Sequence, residues 1–163
     1  MRLFPLPGVV RDHFSAGDVV SRYGIVGVRG VATAGTAKEF LAAVCDRCPF
    51  GIKAIQIDGG SEFMAEFETA CQARAIPLWV LPPHSPKMNG GCPLGRMERI
   101  NRTFREEWWE WYDGETGRPL GSMTAMQSSG REGETVSNVI RPHQSLGMRT
   151  PVVFLAECFG IHV

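Results

Sequence analysis

The sequence predicts an α/β fold in which an antiparallel hairpin is followed by strands joined through crossover helices. Three observations carry this expectation. Two valine-rich runs flank a polar turn near the start, and two short apolar runs in the middle alternate with helical spacing. Beyond them, a long stripe of large apolar residues recurs at steps of three and four. Strand–strand–helix–strand–helix–strand–helix is the order of a mixed sheet flanked by helices.

Val9 to Val20 and Tyr23 to Val28 read as the hairpin, with Ser21-Arg22 as its turn. Thr36 to Asp46 sets Phe40, Leu41 and Val44 on one helical face, and Pro49 and Gly51 break the chain after it. Ile52 to Ile57 is short and β-branched, as a buried strand is, and Asp58-Gly59-Gly60-Ser61 punctuates it. Phe63, Phe67, Ala70 and Cys71 keep helical spacing through Ala75, and Pro77 to Leu81 reads as another short strand. Pro82 to Gly95 is dense in breakers. A long helix is expected from near Arg96, with Met97, Ile100, Phe104, Trp108 and Trp111 as its apolar stripe. From Asp113 to Ser137 no period is sustained and large apolar residues are few, so this stretch is expected to be a mobile loop. Order returns at Asn138, with a short helix from Pro151 to Cys158. The chain is thus divided into a body at 1–112, a loop at 113–137 and a closing part at 138–163.

Composition narrows the function classes only a little. Hydrophobic residues at 44% and charged residues at 21% fit a soluble globular chain and exclude global disorder. Seventeen basic and seventeen acidic side chains cancel, so charge alone gives no pointer to nucleic acid. No apolar run approaches the ~20 residues needed to span a bilayer. Met1-Arg2-Leu3-Phe4-Pro5 is not an export signal, so the expectation is a cytoplasmic protein with no membrane partner. Five cysteines, an odd number, fit a reducing compartment. Cys45 and Cys48 form a lone C-x-x-C with no second pair at finger-like spacing, and read as small residues near a helix end rather than half a zinc site.

Two carboxylates stand out. Asp58 closes a buried strand before two glycines, where a rigid sheet fixes a cation ligand and a phosphate backbone can approach closely. Turn formation or helix capping is the commoner role of such an Asp. Glu98 lies one turn into the long helix, beside its apolar stripe. It either faces the cleft of Asp58 or forms an i,i+4 surface pair with Arg102. Arg99, Arg102 and Arg105 recur every third residue, a spacing that suits phosphate contacts as well as a solvated face. Trp108, Trp109 and Trp111 read as core or as a partner interface.

The order of the residues says more than their spacing. Ile57-Asp58-Gly59-Gly60-Ser61-Glu62-Phe63, then Pro82-Pro83-His84-Ser85-Pro86-Lys87-Met88-Asn89-Gly90, then Met97-Glu98-Arg99-Ile100-Asn101-Arg102-Thr103-Phe104-Arg105-Glu106-Glu107 together resemble the integrase core of bacterial insertion-sequence transposases. Asp18-Val19-Val20-Ser21-Arg22-Tyr23 resembles the second strand and turn of that core. Asn138-Val139-Ile140-Arg141-Pro142-His143-Gln144-Ser145-Leu146-Gly147, with Thr150-Pro151, resembles its closing signature. These enzymes are DDE recombinases, and they share a ribonuclease-H-like fold with retroviral integrases.

The resemblance implies metal-dependent DNA strand transfer, in which three carboxylates hold two magnesium (or manganese) ions for an in-line displacement at phosphorus. Asp58 matches the second carboxylate and Glu98 the third. Lys87, Asn89, Arg99, Arg102 and Arg105 are the expected nucleic-acid contacts. The implied partners are transposon-end and target DNA, and further copies in a synaptic complex.

Three departures qualify this. The family's first catalytic Asp lies on the first strand, ahead of the residues matched here, and no acidic residue precedes Asp12. Asp12 and Asp18 fall in the second strand and its turn. Pro5 and Pro7 are expected to keep residues 2 to 7 from filling that central strand, leaving exposed edges at the centre of the sheet. Next, 39 residues separate Asp58 from Glu98, and deleting five of them restores the family's register. Last, a helix is expected in the family where 113–137 stands. The expectation is a core inactive by itself. The alternative is a non-catalytic remnant that binds nucleic acid or co-assembles with an intact transposase. A ribonuclease-H-like nuclease fits less well with Arg141-Pro142-His143.

Overall fold

The computed structural model describes residues 1–6, 8–81, 93–109 and 122–163, with the side chains of all of these but 6, 93–98 and 107. Strands β1 (Arg2–Leu6), β2 (Val9–Gly17) and β3 (Gly24–Arg29) form an antiparallel sheet in that order. The β2–β3 register runs from Asp12 opposite Arg29 to Gly17 opposite Gly24. Asp18 builds the turn between them. Its Oδ2 accepts from the Val20 and Ser21 amides at 3.1 and 2.6 Å and from the Ser21 hydroxyl at 2.8 Å. Asp18 is therefore a turn residue, of the kind whose side chain replaces backbone partners.

Residues 2 to 7 were expected not to fill the central strand, and Arg2–Leu6 does not: it forms β1, which pairs with β2 and ends the three-stranded sheet. Proline is tolerated because β1 is the last strand of its ladder, and the register shifts between Leu3 and Leu6, bracketing Pro5. The single mixed sheet gives way to two. β4 (Ile55–Ile57) and β5 (Leu78–Val80) pair in parallel as a separate two-stranded sheet, connected through α2 (Glu66–Ala73). Both strands are shorter than the runs Ile52 to Ile57 and Pro77 to Leu81 suggest.

Alternation along the strands sends side chains into two cores. Phe14 and Ile25 meet Ala37, Phe40, Leu41 and Val44 of α1 (Ala34–Arg47), together with Phe67, Ala70 and Cys71 of α2. Thr33 caps α1 through a reciprocal box with Thr36. On the opposite face, Leu3, Val26 and Val28 meet Phe104, Trp109 and Met126.

The long helix begins earlier than expected, as α3 (Pro93–Phe104), and continues as a π-helical turn, Arg105–Trp109. Bonding over five residues brings Phe104 and Trp109 to the same side, so Trp109 joins Phe104 in the core. Trp111 lies outside the described residues.

A second correction concerns the stretch read as a loop. Its described part contains α4 (Met123–Thr135), capped by Ser122 and prolonged by a π-helical turn, Val136–Ile140. Its buried face is made of Met126, Ser129, Gly130 and Gly133, so an apolar period could not reveal it. A side chain at Gly133 would meet Phe104 Cε1 at 2.8 Å and Trp108 Cδ2 at 2.9 Å, and only glycine lets the helix come this close. The chain closes with α5 (Pro151–Phe159), capped by Thr150 with proline in its first turn. No helix among the described residues is long and apolar enough to cross a membrane.

Candidate functional site

Asp58 follows the last residue of β4 and is exposed. The Gly60 amide donates to its Oδ1 at 3.3 Å, which holds the carboxylate over the turn. Gly59 adopts φ +78°, and a side chain there would approach Val80 Cγ1 to 3.2 Å, so the backbone is both left-handed and pressed against β5. Glu62, in the 3₁₀ turn Ser61–Phe63, folds back over the same glycines: a side chain at Gly60 would meet its Oε2 at 2.7 Å. Sequence reasoning passed over Glu62, although it stands four residues from Asp58.

The beginning of β1 comes to this place. The Met1 amino group donates to His13 O at 2.8 Å, and His13 N–H returns a bond to Met1 O at 2.7 Å. Burial lowers the pKa of this amine, Asp12, Glu62 and Asp58 oppose that shift, and Arg105 adds to it. The Met1 amino group is therefore within electrostatic reach of Asp58 and Glu62, after β4, and of Arg105, in the turn that follows α3.

Helix α3 is fastened to β2 by a side-chain bond in which Ser15 Oγ donates to Asn101 Oδ1 at 2.7 Å. Glu98 lies on the backbone of α3, one turn before Asn101 and two turns before Arg105; its side chain is outside the described residues. Arg99, Arg102 and Arg105 are exposed. Lys87 and Asn89 lie outside the described residues.

Other candidates resolve into structure. Asp12 is buried, accepting from Ala32 N at 2.8 Å and from Arg2 Nε at 3.4 Å, so it stabilises the β1–β2 hairpin. Cys45 and Cys48 are half-buried against the α1 core. Within the second core, His13 is buried between Phe104 and Trp109, with ring centroids at 5.4 and 5.8 Å. Burial, reinforced by the Met1 amine, lowers its pKa to about 3, so the ring is neutral. Nothing in the sequence distinguished His13, since a histidine in a strand looks alike buried or exposed.

The oxygen donors near Asp58 are the type that magnesium or manganese takes. Among the described residues, which leave out the Glu98 side chain, no three His, Cys, Asp or Glu side chains gather closely enough to hold a metal ion.

No family model matches this chain, and no curated protein matches it. Solved structures do. One is a chain in the cryo-EM structure of the simian T-cell lymphotropic virus intasome in complex with PP2A regulatory subunit B56 gamma, with a TM-score of 0.71 and 16% identity. The match covers 88% of this chain and 47% of that one, so this chain spans about half the length of its structural neighbour. The likeness is one of fold: a mixed α/β core shared with a component of a viral intasome complex.

Proposed function

We propose that the chain is a ribonuclease-H-like core of a DNA transposase or integrase, of the DDE type, built for metal-dependent strand transfer. The observation that supports this reading is that the Met1 amino group lies within electrostatic reach of Asp58 and Glu62, after β4, and of Arg105, just past the helix whose backbone carries Glu98. The intasome likeness supports the same reading at the level of fold.

Asp58 and Glu98 would hold magnesium or manganese, which when bound activates an attacking hydroxyl and stabilises the leaving oxygen. The chain's own groups do the rest. Gly59 and Gly60 leave room for a phosphate backbone beside Asp58. Arg99, Arg102 and Arg105 fix the strand by phosphate contacts and carry no sequence information themselves. The Ser15–Asn101 bond keeps α3 seated on β2, so that Glu98 is presented from a fixed helix. A first carboxylate supplied from ahead of Met1 would complete the set.

Within residues 1–163 only two of the three carboxylates are assigned, and this favours a second reading: a DNA-binding, non-catalytic partner of an intact transposase. One assay separates the two. Joining of labelled donor ends in magnesium is expected to be absent for residues 1–163. It is expected to appear when a segment placing Asp at the start of β1 is fused upstream, and to vanish again with Asp58→Ala or Glu98→Ala. An extended chain that binds DNA without joining it supports the second reading. Joining that survives Asp58→Ala sinks the first.

A further inference from the structure

Two tryptophans of the chain stand at opposite extremes of burial. Trp109 is sealed in the second core at 6% exposure, whereas Trp79, in the middle of β5, is 66% exposed. A ring so open to water adds little to the core and leaves a broad apolar face for a ligand. The β4–β5 ladder fixes its place relative to Asp58. Trp79 lies opposite Gln56, and the pairing is held on either side, by Ile55 N–H donating to Pro77 O at 2.9 Å and Leu81 N–H donating to Ile57 O at 3.0 Å. Ile55, Ile57 and Leu78 turn toward the core under α1 and α2. By the two-residue period of a strand, Gln56 and Trp79 turn to the other face, where both are exposed. Asp58 comes two residues after Gln56, is exposed as well, and continues the same row. Gly59 presses the turn onto β5: a side chain there would come within 3.2 Å of Val80 Cγ1. The carboxylate and the ring thus share one rigid platform.

We propose that the open face of Trp79 is a stacking platform for an unpaired DNA base about two nucleotides from the phosphate at Asp58. The inference rests on the strand-transfer reading and adds the form of the substrate, since a base inside a duplex is stacked on both faces and cannot lie on the ring. The spacing fits: two residues of parallel strand span about 6.6 Å, and two steps along one strand of duplex DNA about 6.8 Å. The surroundings favour a nucleotide over a protein partner. The exposed neighbours of Trp79 in this row are Gln56 and Asp58, a polar rim around a single ring rather than an apolar patch. Stacking accepts every base, so the platform adds affinity without reading sequence, while Arg99, Arg102 and Arg105 supply the salt-dependent part.

The test measures binding of residues 1–163, in magnesium, to a short single-stranded oligonucleotide and to an abasic strand of the same length, which keeps every phosphate and carries no base. Trp79→Ala is expected to weaken the first about tenfold and to leave the second unchanged, and Trp79→Phe to keep most of the affinity. The salt dependence should be equal for Trp79→Ala and the unsubstituted chain, because no phosphate contact is lost, whereas Arg102→Ala should lower it. Thermal unfolding of Trp79→Ala is expected to be unchanged, since the ring is exposed. Affinity for the oligonucleotide that survives Trp79→Ala overturns the platform and leaves the strand-transfer reading standing. An equal loss on both strands does the same, as does a loss of self-association in sedimentation at constant oligonucleotide affinity, which would make the ring a contact between copies. If residues 1–163 bind neither strand, the nucleic-acid reading itself falls, and the platform with it.

Discussion

The two faces of the three-stranded sheet are covered by different chemistry. On one, α1 lays down Ala37, Phe40, Leu41 and Val44, a continuous apolar stripe. On the other, α4 buries Met126 beside Ser129, Gly130 and Gly133, with Met123 half-buried against the same core, and turns polar side chains to the edge of β3. The first face is held by area removed from water, and the second by close backbone approach and hydrogen bonds. A helix can dock firmly by either route, but only the first leaves a periodic trace in the sequence.

The contrast can be broken from the apolar side with the largest effect. Phe40 packs against Phe14 with ring centroids 5.5 Å apart and lies under Gly27. Phe40→Ala is expected to cost about 3–5 kcal/mol, read as a lower urea midpoint at unchanged slope. A loss under about 1 kcal/mol would show that this core collapses to fill the space.

The polar face has its own signature, which is acid sensitivity. His13 is neutral in the folded chain, with a pKa of about 3 against 6.5 when unfolded. Because the unfolded state takes up the proton first, the stability tied to the neutral ring is complete above pH 6.5 and falls as the pH drops toward 3. Between pH 7 and 5 the loss is expected to be about 2 kcal/mol, and His13→Phe should remove most of that slope. An equal slope in both proteins would assign the acid sensitivity to other groups.

The smallest effect sharpens the comparison. Gly133→Ala gains helix propensity but drives a methyl group into Phe104 and Trp108, and a net loss of about 1 kcal/mol is expected. A more stable variant would mean that α4 sits farther from the π-helical turn than the structure has it.

Legibility in the sequence followed the same division. The hairpin, α1 and the β4–α2–β5 unit were readable because each repeats large apolar residues at the period of its element. The stretch 113–137 was read as a loop because its described helix buries glycines and a serine, which carry no such signal. The proline rule bars central strands and leaves end strands open, so it could not tell that Arg2–Leu6 pairs with β2 at the end of its ladder. For the site, Asp58 could be singled out from its place between a strand and two glycines, and Glu98 from its resemblance to a catalytic helix. Glu62 and the Ser15–Asn101 fastening were not readable, since both depend on how one element lies over another.

By itself the sequence determined the order and type of most elements, the hairpin near the start and the carboxylate presented after β4, because these are set by neighbours a few residues apart. The tertiary structure alone decided that the sheet is divided between β1 and β4, that His13 is sealed neutral under Trp109, and that Asn138 and Glu134 stand in for a strand beside β3. Each of these joins groups distant along the chain, and what a polar group does there depends on which partner the fold brings within hydrogen-bonding distance and how much water it leaves.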